Sequence, residues 1–395
     1  MKPVPIAYIQ PMSVLYGSER SLLESLLHLD RARFTPWLIL VRDGPLVQEA
    51  KRVGFDVHQM PWSANATWKN PVAWVRATVK LAAWLRQHHI QIVQLNLWYR
   101  IDGGLIRVAA KLAGAKMVLR NRGMMPTWLS FYDKFWLSRV DRIISVTRAA
   151  IQPALTPRRS DLWSRIRPDR IMILPSSRNM DTLVREAAIA DGASLRSLGI
   201  PTSAPVVGMV AALVPRKRQG LFLRTAALVI QEVPDAWFLV VGDPYIRTVE
   251  SLRYVQSLYH LAEDLGVLNR VIFTGYRNDA VTLMRQCWVV VLPSRREALG
   301  GVLIEAMALG VPVVASAAEG ASEIVRDGVT GVLVERQEAD EYAKAILPML
   351  RDRAYAARLG EAAKAHAQRF HSPRIVRHLE SCYEELCQPA AIERG

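Results

Sequence analysis

At 395 residues, 51% of them hydrophobic, the chain is too long for one core and too apolar to be disordered, so two domains are expected. Its formal net charge of +15 is confined to the first half, where residues 1–185 hold 28 Lys and Arg against 12 Asp and Glu. Nine of the eleven tryptophans lie there too. A basic, tryptophan-rich half suits an anionic membrane surface, with Trp at the interface and Lys or Arg on lipid phosphates. No helix-turn-helix, zinc-finger, KH or RNP-type pattern accompanies the charge, so nucleic acid is not expected as a partner. No apolar run reaches the roughly 18 residues that span a bilayer, and the chain opens directly into a strand. Cys287, Cys382 and Cys387 form neither a CxxC pair nor a metal spacing. A cytoplasmic protein, peripheral on the cytoplasmic face of a membrane, is the expectation.

The first half alternates strand and helix patterns. Strands are expected at 5–9, 37–41, 92–95, 116–119 and 142–146, and helices at 21–29, 45–53, 71–88 and 103–113. Such alternation implies a parallel sheet covered on both faces. After the first strand comes Tyr16-Gly17-Ser18-Glu19-Arg20, a loop in which Gly17 lets backbone approach a ligand. Residues 120–136 carry Met124, Met125, Trp128, Phe131, Phe135 and Trp136 among basic residues; this reads either as a core-facing helix or as a membrane-docking surface. A strand follows at 171–174, then Pro175-Ser176-Ser177, and residues 178–205, with Pro201 and Pro205, read as a linker.

The alternation restarts with strands at 206–210, 237–241 and 271–276 and helices at 219–233 and 279–286. Between the first strand and helix, residues 210–220 read VAALVPRKRQG, a basic and exposed turn containing Lys217. A short apolar strand at 288–292 ends at Pro293 and leads into SRREALGGVLIEAMALGVPVVAS at 294–316. Gly300 and Gly301 open a helix that stops at Gly310, and a strand follows at 311–315. A glycine pair at a helix start presents bare backbone N–H groups and the positive end of the helix dipole, which suits a phosphate. Glu297 lies in the loop before that start and Glu305 about one turn inside the helix. Ligands of open α/β sheets bind at the carboxyl ends of the strands. A sugar nucleotide matches this array: diphosphate at the helix start, sugar and ribose hydroxyls on the two carboxylates. Residues 369–386 read as an amphipathic helix. There is no HxH, HExxH or DxD pattern, and no metal or other cofactor is expected.

Glu297 and Glu305, followed by Ala306-Met307-Ala308, Gly310 and Pro312-Val313-Val314, resemble the E-x7-E signature of retaining glycosyltransferases of family 4. The resemblance implies the α/β GT-B fold, two Rossmann-like parallel-sheet domains facing across a cleft. It divides the chain into an acceptor-binding domain (1–185), a nucleotide-sugar-binding domain (186–370) and a last helix (371–395) crossing back to the first. It implies a retaining transfer without metal, from a UDP- or GDP-linked sugar to a glycan or lipid-linked acceptor, as in cell-envelope polysaccharide, lipopolysaccharide or glycolipid synthesis. Glu297 would position the sugar, and Lys217 would stabilise the leaving diphosphate. Glu305, Leu299, Gly300, Gly301, Arg216, Arg218, Tyr276 and Gly17 would bind the donor; Asn121 and Arg122 would stand on the acceptor side. The chain departs from the pattern in five places, one of them Val93-Gln94-Leu95-Asn96, which stands where a VHxH-like pattern is usual. Ser18 replaces a glycine, Pro175-Ser176-Ser177 stands for a PNG turn, Arg122 falls where a histidine is usual, and the phosphate-binding arginine is replaced by Ala211 or Ala212. A sugar-nucleotide epimerase of the same fold, and a binding protein that kept the fold without activity, are the alternatives.

Overall fold

The computed structural model describes residues 2–11, 13–15, 17–60, 70–96, 102–125, 135–156, 166–188 and 193–388. They form two compact units: the residues up to Ser177 together with those from Ser372 onward, and Arg178–His371.

The first unit is built on a seven-stranded sheet in the order β3-β2-β1-β4-β5-β6-β7. The strands are β1 Val4–Gln10, β2 Phe34–Leu40, β3 Val57–Gln59, β4 Ile92–Asn96, β5 Lys116–Asn121, β6 Arg142–Ser145 and β7 Ile171–Ile173. Every pairing is parallel, and strands covered on both faces read as continuous apolar runs rather than alternating ones. Side chains alternate between two cores. Ala7, Ile9, Val93 and Leu95 face the core of the helices Pro71–Gln87 and Asp102–Ala113, and Ile6, Tyr8 and Ile92 face the opposite one. That second core takes Leu22 and Leu26 from the helix Gly17–Leu27. It also takes Ile375, Val376, Leu379, Cys382 and Tyr383 from the helix Ser372–Cys387. This last helix is thus a full member of the first unit's core. Tyr383 Oη donates to Gln94 Oε1 at 2.6 Å. Arg120 is fully buried beside this helix and donates to the Pro175 carbonyl at 2.9 Å, and burial pulls its guanidinium down to about 10.

Trp37, Trp74 and Trp84 are partly buried and pack against the core of the first face, the rings of Trp37 and Trp84 meeting edge to face with centres 5.7 Å apart. Residues 126–134, with Trp128 and Phe131 of the expected docking segment, lie outside the described residues.

The second unit holds a six-stranded parallel sheet in the order β10-β9-β8-β11-β12-β13. Its strands are β8 Val206–Val210, β9 Trp237–Val241, β10 Val271–Gly275, β11 Val289–Leu292, β12 Val313–Ser316 and β13 Val332–Val334. The stretch read as a linker is a correction. It contains the helix Met180–Ala188, whose Met180, Leu183 and Ala187 are buried at i, i+3 and i+7. This helix packs on the helices Ala280–Arg285 and Gly301–Ala308. Thr282 Oγ1 and Arg285 Nη1 donate to its Glu186 and Ala187 carbonyls, each at 3.2 Å. A boundary at 185/186 therefore falls inside an element of the second unit.

Candidate active site

The order of the second sheet reverses between β8 and β11: β9 and β10 continue one way, β12 and β13 the other. The loops leaving neighbouring strands at such a switch part from each other and leave a crevice at the carboxyl ends. Lys217 and Glu297 sit on those two loops. After β8, a single 3-10 turn, Pro215–Lys217, is stopped by Arg218 at φ +58°, and the helix Gln219–Glu232 begins. Contrary to the exposed turn expected, Lys217 is only 8% exposed. Its Nζ donates to Glu297 Oε2 across the crevice.

The loop carrying Glu297 is fixed by its neighbours. The Arg295 amide donates to the Arg216 carbonyl at 2.9 Å, joining the two loops directly. Ser316 Oγ, at the end of β12, donates to the Ser294 carbonyl at 2.8 Å. The Gly320 amide donates to the Glu297 carbonyl at 2.9 Å. A Cβ on Gly320 would come within 2.2 Å of the Ala298 carbonyl oxygen, so only glycine allows this approach.

Gly300 takes φ +85°, a left-handed conformation open to glycine, and caps the helix Gly301–Ala308. A Cβ on Gly301 would lie 2.7 Å from Arg178 Nη2. Arg178 Nε donates to Glu305 Oε1 at 2.6 Å. The helix start is therefore flanked by two cations, Lys217 and Arg178, each bonded to one carboxylate of the Glu297/Glu305 pair. Carboxylates bonded to fixed cations are held for hydroxyl contacts, and two cations at a helix start suit a diphosphate.

Arg178 was missed because it lies in the stretch read as a linker. The available signal was an arginine just past the carboxyl end of a parallel strand, immediately after Pro175-Ser176-Ser177. Of the other donor-side candidates, Leu299 is buried beside Gly300. Tyr276 is 55% exposed just past the end of β10, at the far edge of the sheet. Arg216 Nη2 donates to Tyr245 Oη at 2.8 Å, with its guanidinium 5.7 Å from that ring centre. Arg218 Nη1 donates to Gln337 Oε1. Ala211 and Ala212 bring no cation: the Ala211 amide donates to the Val241 carbonyl at 3.0 Å, and the Ala212 carbonyl accepts from Gln219 Nε2 at 2.8 Å.

Gly17, Asn121 and Arg122 belong to the first unit. Gly17 is the first residue of the helix after β1. Asn121 ends β5 fully buried, its Nδ2 donating to Ser145 Oγ at 3.1 Å and to the Ala150 carbonyl at 3.3 Å. Arg122 Nη1 donates to Ser176 Oγ at 3.3 Å. Among the described residues, no group of three or more His, Cys, Asp or Glu is placed to hold a metal ion.

Residues 192–366 match the family of glycosyl transferases group 1. That stretch covers most of the second unit and includes Lys217, Glu297 and Glu305. Among sequence relatives is the D-inositol 3-phosphate glycosyltransferase of Corynebacterium urealyticum, 34% identical over 204 residues, 51% of this chain and 47% of that one. The protein of that name from Nocardia farcinica is 31% identical over 272 residues, 67% of this chain and 58% of that one. The chain thus spans about half the length of the curated relatives it matches. Among solved structures, the Anabaena protein HepE in complex with UDP aligns with TM-score 0.81 at 21% identity, covering 97% of this chain and all of that one. A glycosyltransferase from Rickettsia africae aligns with TM-score 0.84 at 21% identity, covering 99% of this chain and all of that one. At such identities the likeness bears on fold: two Rossmann-like α/β units with GT-B neighbours.

Proposed function

We propose that the chain is a retaining glycosyltransferase. It transfers a sugar from a UDP- or GDP-linked donor to a glycan or lipid-linked acceptor in envelope polysaccharide or glycolipid synthesis. The observation that carries this reading is the pairing of Lys217 with Glu297 and of Arg178 with Glu305 around one glycine-opened helix start. The names of the sequence relatives and the UDP bound to HepE agree with it. In such a transfer the bond between the anomeric carbon and the phosphate oxygen breaks while the acceptor oxygen bonds to that carbon on the same face. The acceptor's proton passes to the departing phosphate oxygen. The protein's part is then orientation and stabilisation of the leaving diphosphate. Lys217 and the Gly300–Gly301 start supply the stabilisation, Glu297 holds the sugar, and Glu305 holds the ribose. Charge stabilisation of this kind needs no metal.

The test is release of nucleoside diphosphate from a panel of UDP-, GDP- and ADP-sugars, with and without membrane lipid. The expected result is lipid-dependent release from one donor, unchanged by EDTA, with the anomeric configuration kept in the product. Conversion of the sugar without any acceptor would instead identify an epimerase. Binding without release or conversion would identify a binding protein. Full loss with EDTA, restored by Mg²⁺ or Mn²⁺, would count against the proposed site.

We further propose that the first unit meets an anionic membrane, on the cytoplasmic side. Besides the charge asymmetry, the helix Pro71–Gln87 exposes Val72, Val75 and Val79 on one face, next to Arg76 and Lys80. No described helix is long and apolar enough to cross a membrane. The double variant Arg76→Glu, Lys80→Glu should lose sedimentation with anionic liposomes, and high salt should release the wild type, since surface charge is screened. Equal binding of the wild type to neutral and anionic vesicles would refute the electrostatic contact.

A further inference from the structure

We infer that Arg178 is the cation for the donor diphosphate that this chain lacks at Ala211 and Ala212. The inference rests on the glycosyltransferase reading above and assigns that site a residue outside the stretch matched to the family. Three observations carry it. Arg178 is 9% exposed, and its backbone is anchored: its amide donates to the Phe370 carbonyl at 3.0 Å and it forms a parallel bridge with His371. Its Nη2 lies 2.7 Å from the point a Cβ on Gly301 would occupy, so the guanidinium sits against the first residue of the helix that would take the phosphates. Its Nε holds Glu305, the carboxylate assigned to the ribose.

A guanidinium carries five N–H donors in a planar fork, so one arginine can hold a carboxylate by Nε and turn its Nη edge to phosphate oxygens. Lysine offers no such fork. Of the basic residues nearest in sequence to the alanine pair, Arg216 bonds Tyr245, Lys217 bonds Glu297 and Arg218 bonds Gln337. The arrangement also links the two ends of the donor. One side chain would touch the diphosphate and orient the carboxylate that reads the ribose, so a nucleoside diphosphate should be preferred over its separate parts.

The experiment separates phosphate contact from mere support of Glu305. Wild type is titrated with UDP, GDP and ADP by calorimetry. The diphosphate that binds is then measured against Arg178→Gln and Arg178→Lys, and the matching nucleoside is followed by saturation-transfer NMR. Arg178→Gln should bind the diphosphate about ten- to a hundredfold more weakly, as expected for a lost charge-assisted contact, and should bind the nucleoside only a few-fold more weakly, through the lost support of Glu305. Nucleoside binding also reports that the variant is folded. Arg178→Lys, which keeps a charge at the helix start without the fork, should fall between the two. Equal weakening for nucleoside and diphosphate would mean that Arg178 only holds Glu305, and would overturn the inference. An unchanged diphosphate affinity would overturn it as well, leaving the glycosyltransferase reading intact. If wild type bound none of the three diphosphates, that reading itself would fail, and the assignment of Arg178 with it.

Discussion

Replacing Lys217 by alanine is expected to lower sugar transfer about 100-fold or more, the usual loss when one preorganised positive group is removed from a leaving charge. The structure adds a second effect. Lys217 is buried against Glu297, so the alanine variant leaves a partly buried carboxylate without its cation, and stability should fall by about 1–3 kcal/mol. The double variant Lys217→Ala, Glu297→Gln separates the effects, because it removes both charges together. Its melting temperature should recover most of the way to wild type while its turnover stays low. Unchanged turnover of Lys217→Ala at saturating donor would remove this lysine from the mechanism.

The two glutamates should fail in different ways. Glu297→Gln is expected to depress kcat about 10- to 100-fold, since the loop carboxylate would meet the sugar where charge develops. The same change removes the partner of Lys217, so the bare nucleoside diphosphate should bind as before or more tightly. Glu305→Gln should instead weaken binding of the free nucleotide about tenfold, the cost of one charge-assisted hydrogen bond to a ribose hydroxyl. Calorimetry with the nucleoside diphosphate distinguishes the cases without knowledge of the acceptor. If both variants bind it like wild type and both turn over normally, the two acids take no part in donor binding or transfer.

The central stretch was legible because its cues are local. A strand ended by Pro293, a glycine pair and a helix stop at Gly310 fix the backbone without reference to the rest of the chain. Strands β8 and β9 were read at the residues where they occur, because strands buried on both faces show as unbroken apolar runs. What was lost depended on distant partners. The helix Met180–Ala188 has a modest apolar stripe between proline-containing segments, and only its packing on two helices about 100 residues later makes it part of a core. The three-residue strand β3 sits at a sheet edge and is too short to show a period. Nothing local shows that Trp37, on β2, and Trp84, on a helix 40 and more residues later, will meet edge to face. The burial of Lys217 follows from a loop 80 residues downstream, and Arg178 reaches Glu305 across 127.

The helix Ser372–Cys387 has a consequence for how the protein is made. It supplies Tyr383, Leu379 and Val376 to a core whose other members lie before residue 175. A ribosome must therefore have passed residue 383 before that core can close. The continuous stretch Arg178–His371 has no such wait and can reach its native state first. During synthesis, the sheet face bearing Ile6, Tyr8 and Ile92 is left uncovered where this helix will sit, a target for chaperones and proteases. A truncation just before Ser372 should accordingly yield an aggregation-prone product even though every residue of the proposed donor site is present.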